Sequence, residues 1–168
     1  MRVTDLPQDD LTEDEPLDTR SLARRIALQI LYEIDSTKHK PGNVIAIHLQ
    51  VQQPGEIAAK FVHELVIGTV ENRQQIDRAI THYASEYPLD LLAVVDRNIL
   101  RMAIYEFAVS ARTPVGVAID EAVELAKVFG ADGTPSFING VLGALADDEA
   151  YLNELRQKEG EDDIEDQT

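Results

Sequence analysis

Residues 117–145, VAIDEAVELAKVFGADGTPSFINGVLGAL, decide how this chain folds. They spell helix, tight loop, helix. In the first part Ala118, Ala122, Leu125 and Phe129 recur at helical spacing, widened by Ile119, Val123 and Ala126 into one apolar face. Asp120, Glu121, Glu124 and Lys127 fall on the other face, acids first and lysine last, as the helix dipole prefers. Gly130 stands where a left-handed stop is expected. Asp132-Gly133 is turn chemistry. Thr134 is expected to cap the next helix, with Pro135 at its first position.

In that second helix Phe137, Ile138, Val141, Leu142 and Leu145 cover one side. Ser136, Asn139, Gly140 and Gly143 gather on the other. A glycine inside a helix costs about 1 kcal/mol relative to alanine, so two on one polar face need a cause. Either a neighbouring helix of this chain packs closely there, or an external backbone, peptide or nucleic acid, approaches the bare helix. Spacing alone favours the neighbouring helix.

Outward from this hairpin the pattern stays helical. Residues 19–35 carry Ala23, Ile26, Ala27, Ile30, Leu31 and Ile34 on one face, with Arg20, Arg24 and Arg25 crowding the first turns. Those arginines are either ordinary solvated side chains, paired with acids, or an anion-binding end. Pro41-Gly42 is a breaker. Residues 44–51 pass for a strand by composition, but no partner strand exists, so a helix is expected. A long helical region follows Pro54-Gly55, with a break near Asn72 and an end at Tyr87-Pro88. Residues 91–110 are apolar enough to be the central helix of a bundle, and Arg101 within them is expected in a structural ion pair.

The net charge of −16 argues against nucleic acid until its location is read. Residues 1–18 carry −6 and residues 147–168 carry −8, leaving only −2 for residues 19–146. The acidic ends are expected to be disordered tails, 1–18 and 147–168, flanking one folded domain, 19–146, with Tyr151 to Lys158 as a candidate extension of the last helix before a fraying terminus. Cysteine is absent, which removes disulfides and thiolate metal sites. No leader is visible, and no apolar run approaches the ~20 residues of a membrane span, so a cytoplasmic protein without membrane contact is expected. There is no GxxxxGK[ST], GxGxxG or GxSxG. His63-Glu64 lacks the second histidine of a zinc protease, and no histidine sits in a Glu-x-x-His pair. No enzyme, cofactor, metal site or small-molecule substrate is expected.

Three stretches together resemble the NusB family of bacterial transcription antitermination factors: ARRIALQILYEID (23–35), VDRNILRMAIYEF (95–107), and VAIDEAVELAKVFG (117–130) followed by SFINGVL (136–142). The resemblance covers residues 19–146. It implies an all-α, compact bundle of about seven helices in two small subdomains, and no catalysis. It implies binding of a short single-stranded boxA element in ribosomal RNA transcripts, together with NusE, a small-subunit ribosomal protein, in an antitermination complex on RNA polymerase. Carried over position by position, the family's arginine-rich segment falls on Arg20, Arg24 and Arg25. Its RNA-contacting aromatic and asparagine fall on Phe137 and Asn139. The NusE-facing positions fall on Tyr32, Asp90 and Asp96. Ser21 and Leu22 interrupt the arginine run of many members, and the acidic tails are unlike compact members.

Single-stranded RNA is held by cations on its backbone and by stacking on aromatic faces. The arginines offer the cations and Phe137 a ring. Asn139, Gly140 and Gly143 offer a polar surface of low relief for a ribose-phosphate chain. The rival expectation is a helical protein-interaction module without direct RNA binding, which the acid excess suits. A NusB-like domain also precedes some RNA methyltransferases; within these 168 residues no methyltransferase domain is expected.

Overall fold

The computed structural model describes the backbone of residues 15–165 and the side-chain surroundings of residues 19–157. Helices α1 (Glu15–Ser36), α2 (Pro41–Gln52), α3 (Glu56–Glu71), α4 (Arg73–Tyr83), α5 (Val94–Ile104), α6 (Val115–Phe129), α7 (Thr134–Ala146) and α8 (Glu149–Glu165) follow one another without a strand among the described residues. A 3₁₀ turn, Leu89–Leu91, leads into α5, and a π-helical turn, Tyr105–Val109, continues it. Seven of these helices are the ones the hydrophobic periods mark out. The eighth, α8, lies in the acidic stretch expected as a tail, and it buries Leu152 and Leu155 in the common core. At the other end α1 takes in residues 15–18. The rest of the N-terminal acidic stretch, 1–14, lies outside the described residues.

The apolar stripe of α1 packs on α2 and α3, and α5 to α7 pack on one another. The two groups meet where α5 touches both α1 and α3, so one core runs through both. α5 is buried all round, with Asn98 through Ile104 shielded from solvent, as befits a central helix. Two of its seven buried residues there are polar, and they find partners. Asp35 on α1 accepts from Arg97 Nε at 2.6 Å, Asn98 Nδ2 at 2.8 Å and Arg101 Nη1 at 2.9 Å. Arg101 also grips Asp77 on α4, at 2.7 and 3.1 Å, which is the structural ion pair expected of it. Burial alone would raise the Asp35 carboxyl; the Arg97 and Asn98 hydrogen bonds and the Arg101 charge outweigh it and hold the pKa at about 2.

Two local expectations are corrected. Gly130 is extended (φ −90°, ψ 177°) and not left-handed. Its lack of a side chain answers a steric need instead: a Cβ there would sit 2.6 Å from Thr134 Cβ and 2.8 Å from the Ala126 carbonyl oxygen. Thr134 does not cap α7, which it begins after Gly133. Its hydroxyl accepts the Ala131 N–H at 3.1 Å and donates to the Asp96 carboxylate at 3.2 Å, closing the loop and tying α7 to α5.

Candidate nucleic-acid interface

The arginines at the start of α1 part company. Arg20 and Arg25 are exposed. Arg24 is 1% exposed. Its Nε and Nη2 form a fork on the Glu106 carboxylate, at 3.0 and 2.7 Å, and Thr113 Oγ1 donates to the same carboxylate at 3.0 Å. Its Nη1 lies 3.6 Å from Glu121 on α6, which also accepts from Ser21 Oγ. The expectation that Arg24 meets RNA is therefore corrected: a buried guanidinium with both edges engaged cannot reach an external phosphate, and the residue fastens α1 to the π-helical turn and α6. Helical spacing gives Glu106 no sign of a partner 82 residues away. Arg20 remains outside, its guanidinium 5.9 Å from the centre of the Phe61 ring, in a shallow cleft with Pro54 and Gly55 at the entry to α3.

At the far side of α6, the first turn of α7 presents Phe137, half-buried, with Asn139 and Gly140 exposed beside it. Asn139 lines a cleft of about 560 Å³ between α6 and α7, together with Lys127 and Glu124, which pair at 2.9 Å. The glycine face has no occupant: a Cβ on Gly140 or on Gly143 would meet nothing within 4 Å. Among the described residues no helix packs there, contrary to the expectation from spacing. The two arginines and the α7 surface belong to different elements, linked through α6, which packs on α7 and whose Glu121 accepts from Ser21 of α1.

The residues expected to face a protein partner divide in the same way. Tyr32 is 46% exposed near the end of α1, and Asp90 is exposed in the 3₁₀ turn beside Leu91, itself 80% exposed. The Asp35 network joins these two neighbourhoods, because Arg97 reaches α1 from the first turn of α5 and feels the Asp90 charge. Asp96 is half-buried, and burial raises its carboxyl pKa even though the Thr134 hydroxyl opposes the shift. It is first of all a tie between α5 and α7.

The family model described as the NusB family matches residues 21–147. This chain belongs to the NusB family. The transcription antitermination protein NusB of Geobacter sulfurreducens is 41% identical over 128 residues, covering 76% of this chain and 93% of that protein. NusB of Bacillus pumilus is 40% identical over 129 residues, covering 77% and 95%. Among solved structures, T. maritima NusB is similar with a TM-score of 0.72 at 30% identity, covering 77% of this chain and 91% of that one. A chain in the crystal structure of the antitermination factors NusB and NusE in complex with dsRNA gives 0.70 at 26% identity, covering 76% and 95%. In this NusB-family chain the open α7 surface and the exposed ends of α1 and α5 are thus set on the fold that those structures share.

Proposed function

We propose that this chain is a transcription antitermination factor that binds boxA-type single-stranded RNA of ribosomal RNA transcripts, jointly with NusE and RNA polymerase. It acts in the cytoplasm by binding and not by catalysis. Membership of the NusB family supports the role. The observation that carries the RNA surface is the unoccupied face of α7, where Gly140 and Gly143 are bare beside Phe137 and Asn139. Among the described residues internal packing gives no reason for two helix-weakening glycines there, whereas close approach by an RNA strand does. Arg20 and Arg25 supply backbone cations from α1. Tyr32 and Asp90 supply the NusE surface, since an acidic, partly apolar patch suits a basic ribosomal protein.

With Arg24 inside the fold, the exposed arginine cluster is thin, and RNA binding by the isolated chain is expected to be weak and to tighten with NusE. The test is a filter-binding titration of boxA RNA against a scrambled sequence, with and without NusE. Preference for boxA that grows with NusE is the expected result. Equal binding of both sequences, or none, with intact NusE binding would favour the protein-interaction module.

A further inference from the structure

We infer that Tyr87 is a second base-stacking residue, and that the RNA strand runs from Asn139 and Phe137 past Tyr87 towards Arg78 on α4. This rests on the RNA reading above and extends it to residues that reading does not use. Tyr87 is 54% exposed and follows α4, where its N–H donates to the Ala84 carbonyl at 3.1 Å and Pro88 fixes the next residue. Its ring meets Phe137 edge to face, with centroids 6.0 Å apart and planes at 86°. An aromatic ring so placed has two torsions to lose on binding, which makes it a rigid platform.

The clefts around it connect. Ser136 lines both the Asn139 cleft and a cleft of about 320 Å³ bounded by Tyr87, Phe137 and Gly140. Ser85 lines that second cleft and a third, which holds Arg78. The open side of Gly140 belongs to the middle cleft, so a side chain there would take up room beside the two rings. Glu86 also lines it and repels phosphate. Its carboxylate therefore suits the amino edge of a base, with the backbone held outside. At the Asn139 end Lys127 is already paired with Glu124. At the other end Arg78 is exposed, and its acidic neighbour Asp77 is engaged by Arg101 at 2.7 Å and Arg73 at 3.5 Å. The phosphate contact therefore falls to Arg78. Perpendicular rings cannot serve two bases that remain stacked on each other, so the groove selects a strand with splayed bases over a duplex.

The experiment measures fluorescence anisotropy of a labelled single-stranded boxA RNA, and of the same sequence as a duplex, with the full chain and NusE present. Tyr87→Ala and Tyr87→Leu should each weaken single-strand binding about 5- to 150-fold, the span of one lost base stack. Tyr87→Phe should keep it, and the duplex should bind less tightly than the strand. Arg78→Gln should make the slope of log K against log salt less steep by about 0.7. Tyr87→Leu keeps apolar contact with Phe137, so a loss shared by both variants at unchanged melting temperature is a loss of stacking. If Phe137→Ala weakens binding while neither Tyr87 variant does, Tyr87 is not in the path and the RNA reading stands. An unchanged slope in Arg78→Gln removes the proposed exit. If the unaltered chain binds no RNA even with NusE, both the path and the reading fail.

Discussion

Arg24 and Arg25 are neighbours in the chain with opposite environments, and the difference sets what each substitution does. Removing one partner of a buried, hydrogen-bonded ion pair leaves the other charged and unsolvated, at a cost of about 3–5 kcal/mol. Arg24→Ala should therefore lower stability by that order in urea unfolding, while Arg25→Ala should leave it within about 0.5 kcal/mol and weaken RNA binding instead. Equal stability loss in the two would contradict the burial of Arg24. Asp35 gives a second test. Its folded pKa lies below its unfolded value, so its stabilisation, roughly 2 kcal/mol, is complete above the ordinary carboxylate pKa and fades as pH falls from about 4 through 2. The stability gap between the unaltered chain and Asp35→Asn should be open at neutral pH and close across that window. The sequence showed that Arg101 needed an acid, because a cation midway along so apolar a helix must be paired. It did not show that Arg24 did, because a guanidinium in the first turns of an amphipathic helix is equally at home in water.

At the scale of elements, two helical glycines behave as opposites. Gly68 of α3 lies against the Tyr105 ring of the π-helical turn, and a Cβ there would run into that ring. Gly68→Ala should destabilise by about 1–3 kcal/mol through overpacking. Gly140→Ala adds a methyl to open space and removes a poor helix former. It should stabilise by up to about 1 kcal/mol, a rise of roughly 2–4 °C in melting temperature, while weakening boxA binding. A drop in melting temperature for Gly140→Ala would mean that α7 has an internal neighbour. The helix-loop-helix of α6 and α7 was legible because apolar spacing, a breaker and a proline agreed. The π-helical turn was not. Its sequence, YEFAV, continues the helical period, and its Glu106 and Tyr105 meet Arg24 and Gly68 on other helices, contacts that no local pattern encodes.

For the whole molecule, charge and packing divide the chain differently. Composition draws the folded body to residue 146, yet α8 seats Leu152 and Leu155 in the core and Arg156 Nη2 donates to the Phe107 carbonyl at 3.3 Å. An acid-rich segment thus earns its place through two leucines. The N-terminal stretch 1–14, with a net charge of −4, precedes the arginines of α1. If Arg20 and Arg25 hold RNA as proposed, an acidic segment joined to α1 is expected to compete with it, at an effective concentration reaching the mM range. Deleting residues 1–14 should raise RNA affinity at low salt and change it little at 0.15 M, where the Debye length has fallen to about 8 Å. Equal affinity at low salt would leave the segment a solvated arm. The Arg24–Glu106 pair has one more consequence. The apolar face of α1 repeats every turn, with Ile26, Ile30 and Ile34 nearly interchangeable, so oily contact alone tolerates sliding the helix by one turn, about 5.4 Å. Such a slide would strand both charges in the interior. The pair therefore acts as a registration pin, and the distance it locks is the one between the arginines on α1 and the bare face of α7, which a strand bound as proposed has to span.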